Sequence, residues 1–136
     1  MNRMLVFVIA AVAFVVAFIL VFVLGYKKSG FESVSPEAFS SRLSEQADVQ
    51  LVDVRTAEEF AEGHLNGAVN IDVKQADFLS EAQSLLDAGK PVFVYCRSGR
   101  RSADAADRLT KAGYRAVNMS GGILGWTEKG LPTTRE

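Results

Sequence analysis

The distribution of hydrophobic residues divides the chain into two unlike parts. Residues 4–24 are apolar throughout, with neither a charged residue nor a proline among them. A helix of this length rises about 30 Å, the thickness of a bilayer's hydrocarbon core, and it satisfies its own backbone polar groups in lipid. Arg3 precedes the segment, and Tyr26, Lys27 and Lys28 follow it, where interfacial aromatic and charged residues are typical. The pattern predicts one transmembrane helix.

A cleaved signal peptide is the alternative explanation for this segment. Signal peptides usually have an apolar region of about 7–15 residues, followed by small residues at the cleavage site. The run here is longer and ends in Val-Leu-Gly-Tyr-Lys-Lys, so we assign residues 1–28 to a single-pass anchor in the cell membrane. The lysine pair after the run favours a cytoplasmic domain, whereas Arg3 and the terminal amine oppose it. The balance narrowly favours the cytoplasmic over the periplasmic or extracellular side.

After a short linker at 29–32, brief apolar runs alternate with helical patterns. Runs of β-branched and apolar residues predict strands at 49–54, 68–71, 91–95 and 116–119. Cap and stop residues predict helices at 35–43, 56–62, 78–86 and 101–112, with a last short helix after the glycines at 121 and 122. Alternating strands and helices predict an α/β domain at 33–132 with a mainly parallel sheet, followed by a tail at 133–136.

Composition limits the kinds of site that this domain can carry. About a hundred residues suffice for one modest core. All 16 Asp and Glu residues, but only 12 of the 15 Lys and Arg residues, lie beyond residue 30, so the domain is mildly acidic. An acidic domain lacks the electrostatic footprint of a nucleic-acid-binding protein. One cysteine and one histidine exclude an internal disulfide and a zinc site, and nothing indicates a metal or an organic cofactor.

Cys96 is the first residue after the most apolar strand, at the edge of the sheet where ligands bind. Inert packing would explain a lone cysteine, but the residues that follow favour a reactive thiol. A helix start carries unpaired N–H groups and partial positive charge, and a loop containing Gly99 can aim several N–H groups at one centre. Arg97, Arg100 and Arg101 add positive charge, which is unfavourable at a helix start unless an anion binds. These effects predict a lowered pKa for Cys96 and a site for a persulfide or an anionic sulfur donor.

Three separated stretches resemble the signatures of the rhodanese-like family. The first is Leu51-Val52-Asp53-Val54-Arg55 with Glu59-Phe60, Gly63-His64-Leu65-Asn66-Gly67-Ala68 and Asn70; the second is Cys96 to Ser102; the third is Gly121-Gly122-Ile123 with Gly125-Trp126 and Gly130-Leu131-Pro132. One departure is Asn66, where proline is more usual, in a turn away from the loop. The resemblance covers about 33–132 and implies a rhodanese-like domain with a mainly parallel five-stranded sheet flanked by helices.

The resemblance also implies a sulfurtransferase mechanism. Cys96 as thiolate would attack the outer sulfur of a donor such as thiosulfate, and the persulfide would then pass its sulfur to cyanide or a thiol. Asp53 and Arg55 would support the loop from the neighbouring strand end, and His64 would be structural, so no general base is assigned. The residues implied to bind the substrate are Arg97, Ser98, Gly99, Arg100, Arg101 and Ser102.

Two other functions are compatible with a reactive cysteine at this position. Phosphatases and arsenate reductases of related fold use a Cys-x5-Arg loop, whereas here the sixth residue after Cys96 is Ser102 and the arginine stands at 101. A rhodanese-like domain can also serve as a sulfur carrier or docking module for a partner protein, and an anchor at 4–24 suits that role. The retained cysteine and basic loop favour intact persulfide chemistry. The physiological donor and acceptor, the pathway and the oligomeric state stay open.

Overall fold

The computed structural model describes residues 2–25 and 30–136. The apolar segment forms helix α1, Arg3–Gly25. Apart from Arg3, its stretch Arg3–Leu24 is apolar throughout, and every residue of that stretch is exposed. By length and composition it can cross a membrane, although an N-terminal signal sequence meets the same criteria. Four residues named in the sequence-based predictions lie outside the described ranges: Tyr26, Lys27, Lys28 and Ser29.

Residues 30–136 form an α/β domain of five helices and five strands. The helices are α2 (Pro36–Glu45), α3 (Ala57–Glu62), α4 (Phe78–Leu85), α5 (Arg100–Lys111) and α6 (Gly122–Glu128). The strands are β1 (Glu32–Val34), β2 (Gln50–Asp53), β3 (Val69–Asn70), β4 (Val92–Tyr95) and β5 (Ala116–Met119). They lie in the order β1-β5-β4-β2-β3, and every pair is parallel. The predicted α/β fold with a five-stranded parallel sheet flanked by helices is confirmed.

Strand β1 is the one strand that the hydrophobic pattern does not reveal. It has only three residues, and the first two are polar and exposed, so it forms no apolar run. Glu32, its first residue, falls within the segment that we interpreted as a linker. The strand forms because Glu32 pairs with Val117 and Val34 with Met119, at the edge of the sheet. Distant pairing rather than local composition therefore creates this strand.

Side-chain caps start two of the helices as the sequence predicts. The Ser35 hydroxyl accepts a hydrogen bond from the Ala38 N–H, and Pro36 occupies the first turn of α2. Thr56 and Glu59 form a reciprocal capping box at the start of α3. The capping box turns the chain into α3 just after β2, so Glu59 lies at the same end of the sheet as the carboxyl ends of the strands.

Strand β4 is the centre of the fold and is buried on both faces. Val92 and Val94 pack into the apolar cluster beneath α4 and α5, whereas Phe93 and Tyr95 pack against α2 and α6. Successive side chains of a strand point to opposite faces, so this alternation gives the sheet a helical layer on each side. Cys96 continues the face of Val94 and lies at the carboxyl end of the central strand, on the side of α5.

The C-terminal segment is held against the domain through His64. An antiparallel bridge joins His64 to Thr134, with both N···O distances 2.8 Å. The imidazole lies 2.8 Å from the Phe60 carbonyl oxygen through Nδ1 and 2.8 Å from the Glu136 carbonyl oxygen through Nε2. It also stacks on the Phe60 ring at 3.7 Å between centroids. This buried histidine connects α3 to the segment that we interpreted as a tail, which agrees with a structural role.

Tyr95 supplies a buried hydrogen bond at the functional end of the sheet. Its hydroxyl oxygen accepts from the Leu65 N–H at 3.0 Å, and both residues are buried. We predict that Tyr95→Phe lowers the free energy of unfolding by about 1–3 kcal/mol, because it leaves the Leu65 N–H buried and unpaired. Urea unfolding of the full chain in detergent micelles measures the change.

Tyr114→Phe is the matched control for this prediction. Tyr114 is also largely buried, but its hydroxyl has no hydrogen-bond partner within the described ranges. Its removal should therefore cost less than the removal of the Tyr95 hydroxyl. Equal losses of stability in the two variants would contradict the importance assigned to the Tyr95–Leu65 hydrogen bond.

Candidate active site

The Cys96 loop, residues 96–99, curls around the sulfur atom of Cys96. The sulfur accepts a hydrogen bond from the Gly99 N–H at 3.1 Å and one from the Ser102 hydroxyl at 3.3 Å. Gly99 has a φ of +96°, in the left-handed region that glycine adopts without strain. This conformation turns the chain back on itself before α5 begins at Arg100. The sulfur therefore lies at the start of a helix, with donors directed at it.

The environment of Cys96 favours the thiolate. Burial of the thiol raises its pKa, but hydrogen bonds from the Ser102 hydroxyl and from the N–H groups of Ser102, Gly99 and Ser98 outweigh burial. The net effect is a pKa of Cys96 below its ordinary value. Because the thiolate is the nucleophilic form of cysteine, the loop prepares Cys96 for attack on an electrophilic centre.

Helix α6 holds the Cys96 loop from the other side. The Ile123 N–H donates to the Cys96 carbonyl oxygen at 2.9 Å, and the Leu124 N–H donates to the Arg97 carbonyl oxygen at 3.1 Å. Gly122 has a φ of +60°, and a Cβ atom there would meet the Arg97 carbonyl oxygen and carbon at 2.3 and 2.4 Å. Glycine at this position thus permits a backbone-to-backbone approach that any side chain would block. The sequence pattern indicates only a turn here, because the contact joins distant segments.

The three arginines near Cys96 have different environments. Arg97 and Arg100 are exposed, whereas Arg101 is partly buried and donates to both carboxylate oxygens of Glu59, at 2.7 and 2.8 Å. The hydrogen bonds from Arg101 hold the pKa of Glu59 at about 2, against the smaller opposing effect of burial. Glu59 thus contacts a predicted site residue, although the sequence presents it as a helix cap and as part of the first family signature. Its contact with Arg101 spans 42 positions, so no local pattern signals it.

Asp53 and Arg55 form a buried ion pair at the end of β2. The Arg55 Nη2 donates to the Asp53 carboxylate at 2.6 Å and to the Gly63 carbonyl oxygen at 2.7 Å. The guanidinium lies over the ring of Tyr95, 5.8 Å from its centroid. Because Tyr95 directly precedes Cys96, the pair supports the last residue of β4, from which the loop departs.

Comparison with known proteins agrees with this geometry. The rhodanese-like domain family matches residues 35–129, which include the capping box, the Cys96 loop and α6. This chain belongs to the rhodanese-like family. A rhodanese-related protein from Thermoplasma volcanium has the same fold, with a TM-score of 0.68 and 28% identity, over 78% of this chain and 100% of that one.

Curated relatives of this rhodanese-like protein include enzymes. A sulfurtransferase of Allochromatium vinosum is 37% identical over 100 residues, covering 73% of this chain and 91% of the relative. Thiosulfate sulfurtransferase 18 of Arabidopsis thaliana is 37% identical over 117 residues, covering 77% and 86% of the two chains. The Bacillus subtilis protein YqhL is 34% identical over 130 residues and covers 95% of this chain, so that alignment includes most of the apolar N-terminal segment.

The structure brings the predicted site residues of this rhodanese-like domain together to different degrees. Ser98, Gly99 and Ser102 act directly on the Cys96 sulfur through N–H groups or a hydroxyl. Arg101 is close by but is paired with Glu59, and Asp53 and Arg55 act through Tyr95. Within residues 2–25 and 30–136, no group of three or more His, Cys, Asp or Glu side chains has a geometry that can hold a metal ion.

A cavity of about 320 Å³ adjoins the Cys96 loop of the rhodanese-like domain. Arg97 lines it from the loop, and Ile123 and Leu124 line it from α6. Glu59 and Glu62 line it from the side of α3. The cavity therefore combines an apolar wall with charged groups of both signs, beside the Cys96 loop.

Replacement of Ser102 tests which hydrogen bonds stabilise the Cys96 thiolate. We predict that Ser102→Ala raises the pKa of Cys96, because it removes a hydrogen bond that the thiolate accepts. The pH dependence of Cys96 alkylation by iodoacetamide measures this pKa in the full chain. The pKa of Cys96 in the folded protein lies below that of the unfolded thiol, so ionisation of Cys96 stabilises the folded protein. This contribution to the free energy of unfolding is fully present above the unfolded pKa and is lost as the pH falls through the folded pKa. The variant should show less of this pH-dependent stability.

Ser98→Ala is the control for Ser102→Ala. Ser98 acts on the sulfur through its backbone N–H, which alanine keeps, and its side chain is exposed. The alkylation profile of Ser98→Ala should match that of the unaltered protein. A Ser102→Ala profile that also matches it would show that the backbone N–H groups alone stabilise the thiolate.

Proposed function

We propose that this protein takes a sulfane sulfur from an anionic donor such as thiosulfate, as a persulfide on Cys96, and passes it to a thiol or cyanide. Membership of the rhodanese-like family supports a transferase of this type, and curated relatives are named sulfurtransferases. The observation that carries the proposal is the set of hydrogen bonds from Gly99 and Ser102 to the Cys96 sulfur.

The chemistry follows from a thiolate at the start of a helix. The Cys96 thiolate attacks the outer sulfur of thiosulfate, the sulfur–sulfur bond of the donor breaks, and sulfite leaves with its electron pair. An acceptor then attacks the outer sulfur of the persulfide, and Cys96 departs as the thiolate. Both steps change the charge on the inner sulfur, and the N–H groups of the loop are fixed in advance to stabilise it.

The exposed arginines give the site its attraction for an anionic donor. Arg97 within the loop and Arg100 at the start of α5 are both exposed, and their charges raise the local concentration of anions at the mouth of the site. We propose that they make the first contact with thiosulfate, with Arg101 behind them in its pair with Glu59. Asp53 and Arg55 hold the strand end and do not contact the donor.

Phosphoryl chemistry has less support. A Cys-x5-Arg loop requires an arginine six residues after the cysteine, free to bind the phosphate. Here Ser102 occupies that position and donates to the Cys96 sulfur, while Arg101 donates to Glu59. The site therefore favours sulfur transfer over phosphatase or arsenate reductase activity.

A sulfur carrier tethered to the membrane is the second candidate. We propose that α1 anchors the protein through residues 4–24, with the domain at 33–132 on the cytoplasmic side. The exposed apolar surface of α1 supports the anchor, because water does not stabilise such a surface. Catalyst and carrier differ in turnover: a carrier loads once and discharges only to its partner.

Removal of the thiol tests the proposal directly. We predict that the full chain, incubated with thiosulfate in detergent micelles, gains the mass of one sulfur atom, whereas Cys96→Ser gains none. Intact mass spectrometry measures the gain, and circular dichroism verifies that the variant is folded. Added sulfur on Cys96→Ser would overturn the proposal, because the chain has no other thiol. Continued thiosulfate-to-thiol turnover would then separate the catalyst from the carrier.

Variants at Arg101 and Glu59 distinguish two roles of Arg101, binding of the donor and support of the loop. We predict that Arg101→Ala raises the KM for thiosulfate by about tenfold, the effect of losing one hydrogen bond to a charged group. Glu59→Gln is the matched variant, because glutamine keeps the capping box but weakens the ion pair with Arg101. If Arg101 binds the donor, Glu59→Gln frees it and the KM stays the same or falls. Equal increases of KM and equal losses of stability in both variants would assign Arg101 to support of the loop alone.

A further inference from the structure

The cavity beside the Cys96 loop has two charges that the protein itself does not compensate. Four charged residues line it: Arg55, Glu59, Glu62 and Arg97. Arg55 and Glu59 are each committed to an ion pair within the domain. In the part of the chain that the structure describes, the side chains of Glu62 and Arg97 have neither an ion pair nor a hydrogen bond. One positive and one negative group are therefore available to a ligand.

Both groups are exposed and stand on different elements. Glu62 is the last residue of α3, and Arg97 is the second residue of the Cys96 loop. Arg135 approaches Glu62, but its Nε donates to the backbone carbonyl oxygen at 3.1 Å and leaves the carboxylate unpaired. Leu124 is 46% exposed and provides an apolar surface on the α6 side of the cavity. A ligand with a short aliphatic body and a charge of each sign matches these walls.

The cavity is joined to the nucleophile through the backbone. The Ile123 N–H donates to the Cys96 carbonyl oxygen, and Arg97 directly follows Cys96. The wall residues are thus fixed relative to the Cys96 sulfur. A volume of about 320 Å³ matches a small ligand and is at the low end of ligand cavities in general.

We propose that this cavity selects the sulfur acceptor, and that the acceptor is a small zwitterionic thiol, the class of cysteine and short cysteine-containing peptides. Arg97 pairs with the carboxylate of the acceptor, Glu62 pairs with its ammonium group, and Leu124 packs against its aliphatic part. The inference rests on the proposed function and names Glu62 as a residue that determines acceptor specificity. Arg97 serves each half-reaction in turn, because the donor anion has left before the acceptor binds.

The transfer step balances without any further reactant. The acceptor thiolate attacks the outer sulfur of the protonated Cys96 persulfide, and a new sulfur–sulfur bond forms on the acceptor. The bond between the two sulfurs on the enzyme breaks, and its electron pair stays on the Cys96 sulfur as the thiolate. The proton remains on the transferred sulfur, so the products are the acceptor persulfide and the free enzyme, with no net oxidation.

Four thiols separate the contributions of the two charges. The full chain in detergent micelles is first loaded with thiosulfate, and intact mass spectrometry verifies the persulfide. Single-turnover discharge is then followed with four thiols. Cysteine carries both charges, N-acetylcysteine carries only the carboxylate, cysteamine carries only the ammonium group, and 2-mercaptoethanol carries neither. We expect cysteine to half-saturate discharge at the lowest concentration, with about a threefold advantage for each charge, as for exposed ion pairs.

Glu62→Gln identifies the group that recognises the ammonium. It should remove the advantage of cysteine over N-acetylcysteine and keep the advantage of cysteine over cysteamine. Because each thiol is compared with itself across variants, differences in intrinsic nucleophilicity cancel. Glu58→Gln, the same change on an exposed residue of α3 outside the cavity, should keep both advantages.

The failure of this inference is distinguishable from the failure of the proposed function. Absence of a persulfide after loading overturns the proposed function, and with it this inference. A persulfide that forms but that none of the four thiols discharges overturns the acceptor class alone. An unchanged advantage of cysteine over N-acetylcysteine in Glu62→Gln also overturns it.

Discussion

A thiolate removed from water must receive hydrogen bonds from the protein, and this requirement governs the structure around Cys96. The sulfur is almost fully buried, so its charged form is stable only where donors replace the lost solvent. Those donors come from the N–H groups of Ser98, Gly99 and Ser102 and from the Ser102 hydroxyl. All of them lie within six residues of Cys96. A strand end, a left-handed glycine and a helix start must therefore follow each other without interruption.

Such a short loop cannot hold its own shape, and the surrounding elements hold it. The α6 backbone donates to the carbonyl oxygens of Cys96 and Arg97, an approach that is open only because residue 122 is glycine. The Glu59–Arg101 pair joins α3 to the start of α5. Both partners are about one-quarter exposed, so solvent screening limits the pair to about 1 kcal/mol or less. Its contribution is therefore mainly geometric, because it links α3 to the first turn of α5.

The limits of sequence-based prediction follow the range of each interaction. The strands β2 to β5 and the capped helices are predictable because short-range signals produce them: apolar runs, the Ser35 cap and the Thr56–Glu59 capping box. Strand β1 is not, because it forms only by pairing with β5. The contact between Gly122 and the loop is not predictable either, because it also joins segments that are distant in the sequence. The lowered pKa of Cys96 is predictable because its donors are sequence neighbours, whereas no local pattern reveals the contact of Glu59 with Arg101.

Near Cys96, neutral dipoles contact the sulfur and charged arginines lie farther from it, which separates two electrostatic tasks that a single group performs poorly. A charge that stabilises the thiolate strongly also lowers its nucleophilicity, because a more stable anion is a weaker nucleophile. Here neutral N–H and hydroxyl dipoles contact the sulfur, and the charge of Arg101 is compensated by Glu59. The exposed Arg97 and Arg100 place positive charge at the rim of the loop. Neutral dipoles thus stabilise the thiolate at the centre of the loop while positive charge lies at its rim, a division that suits the proposed sulfur transfer.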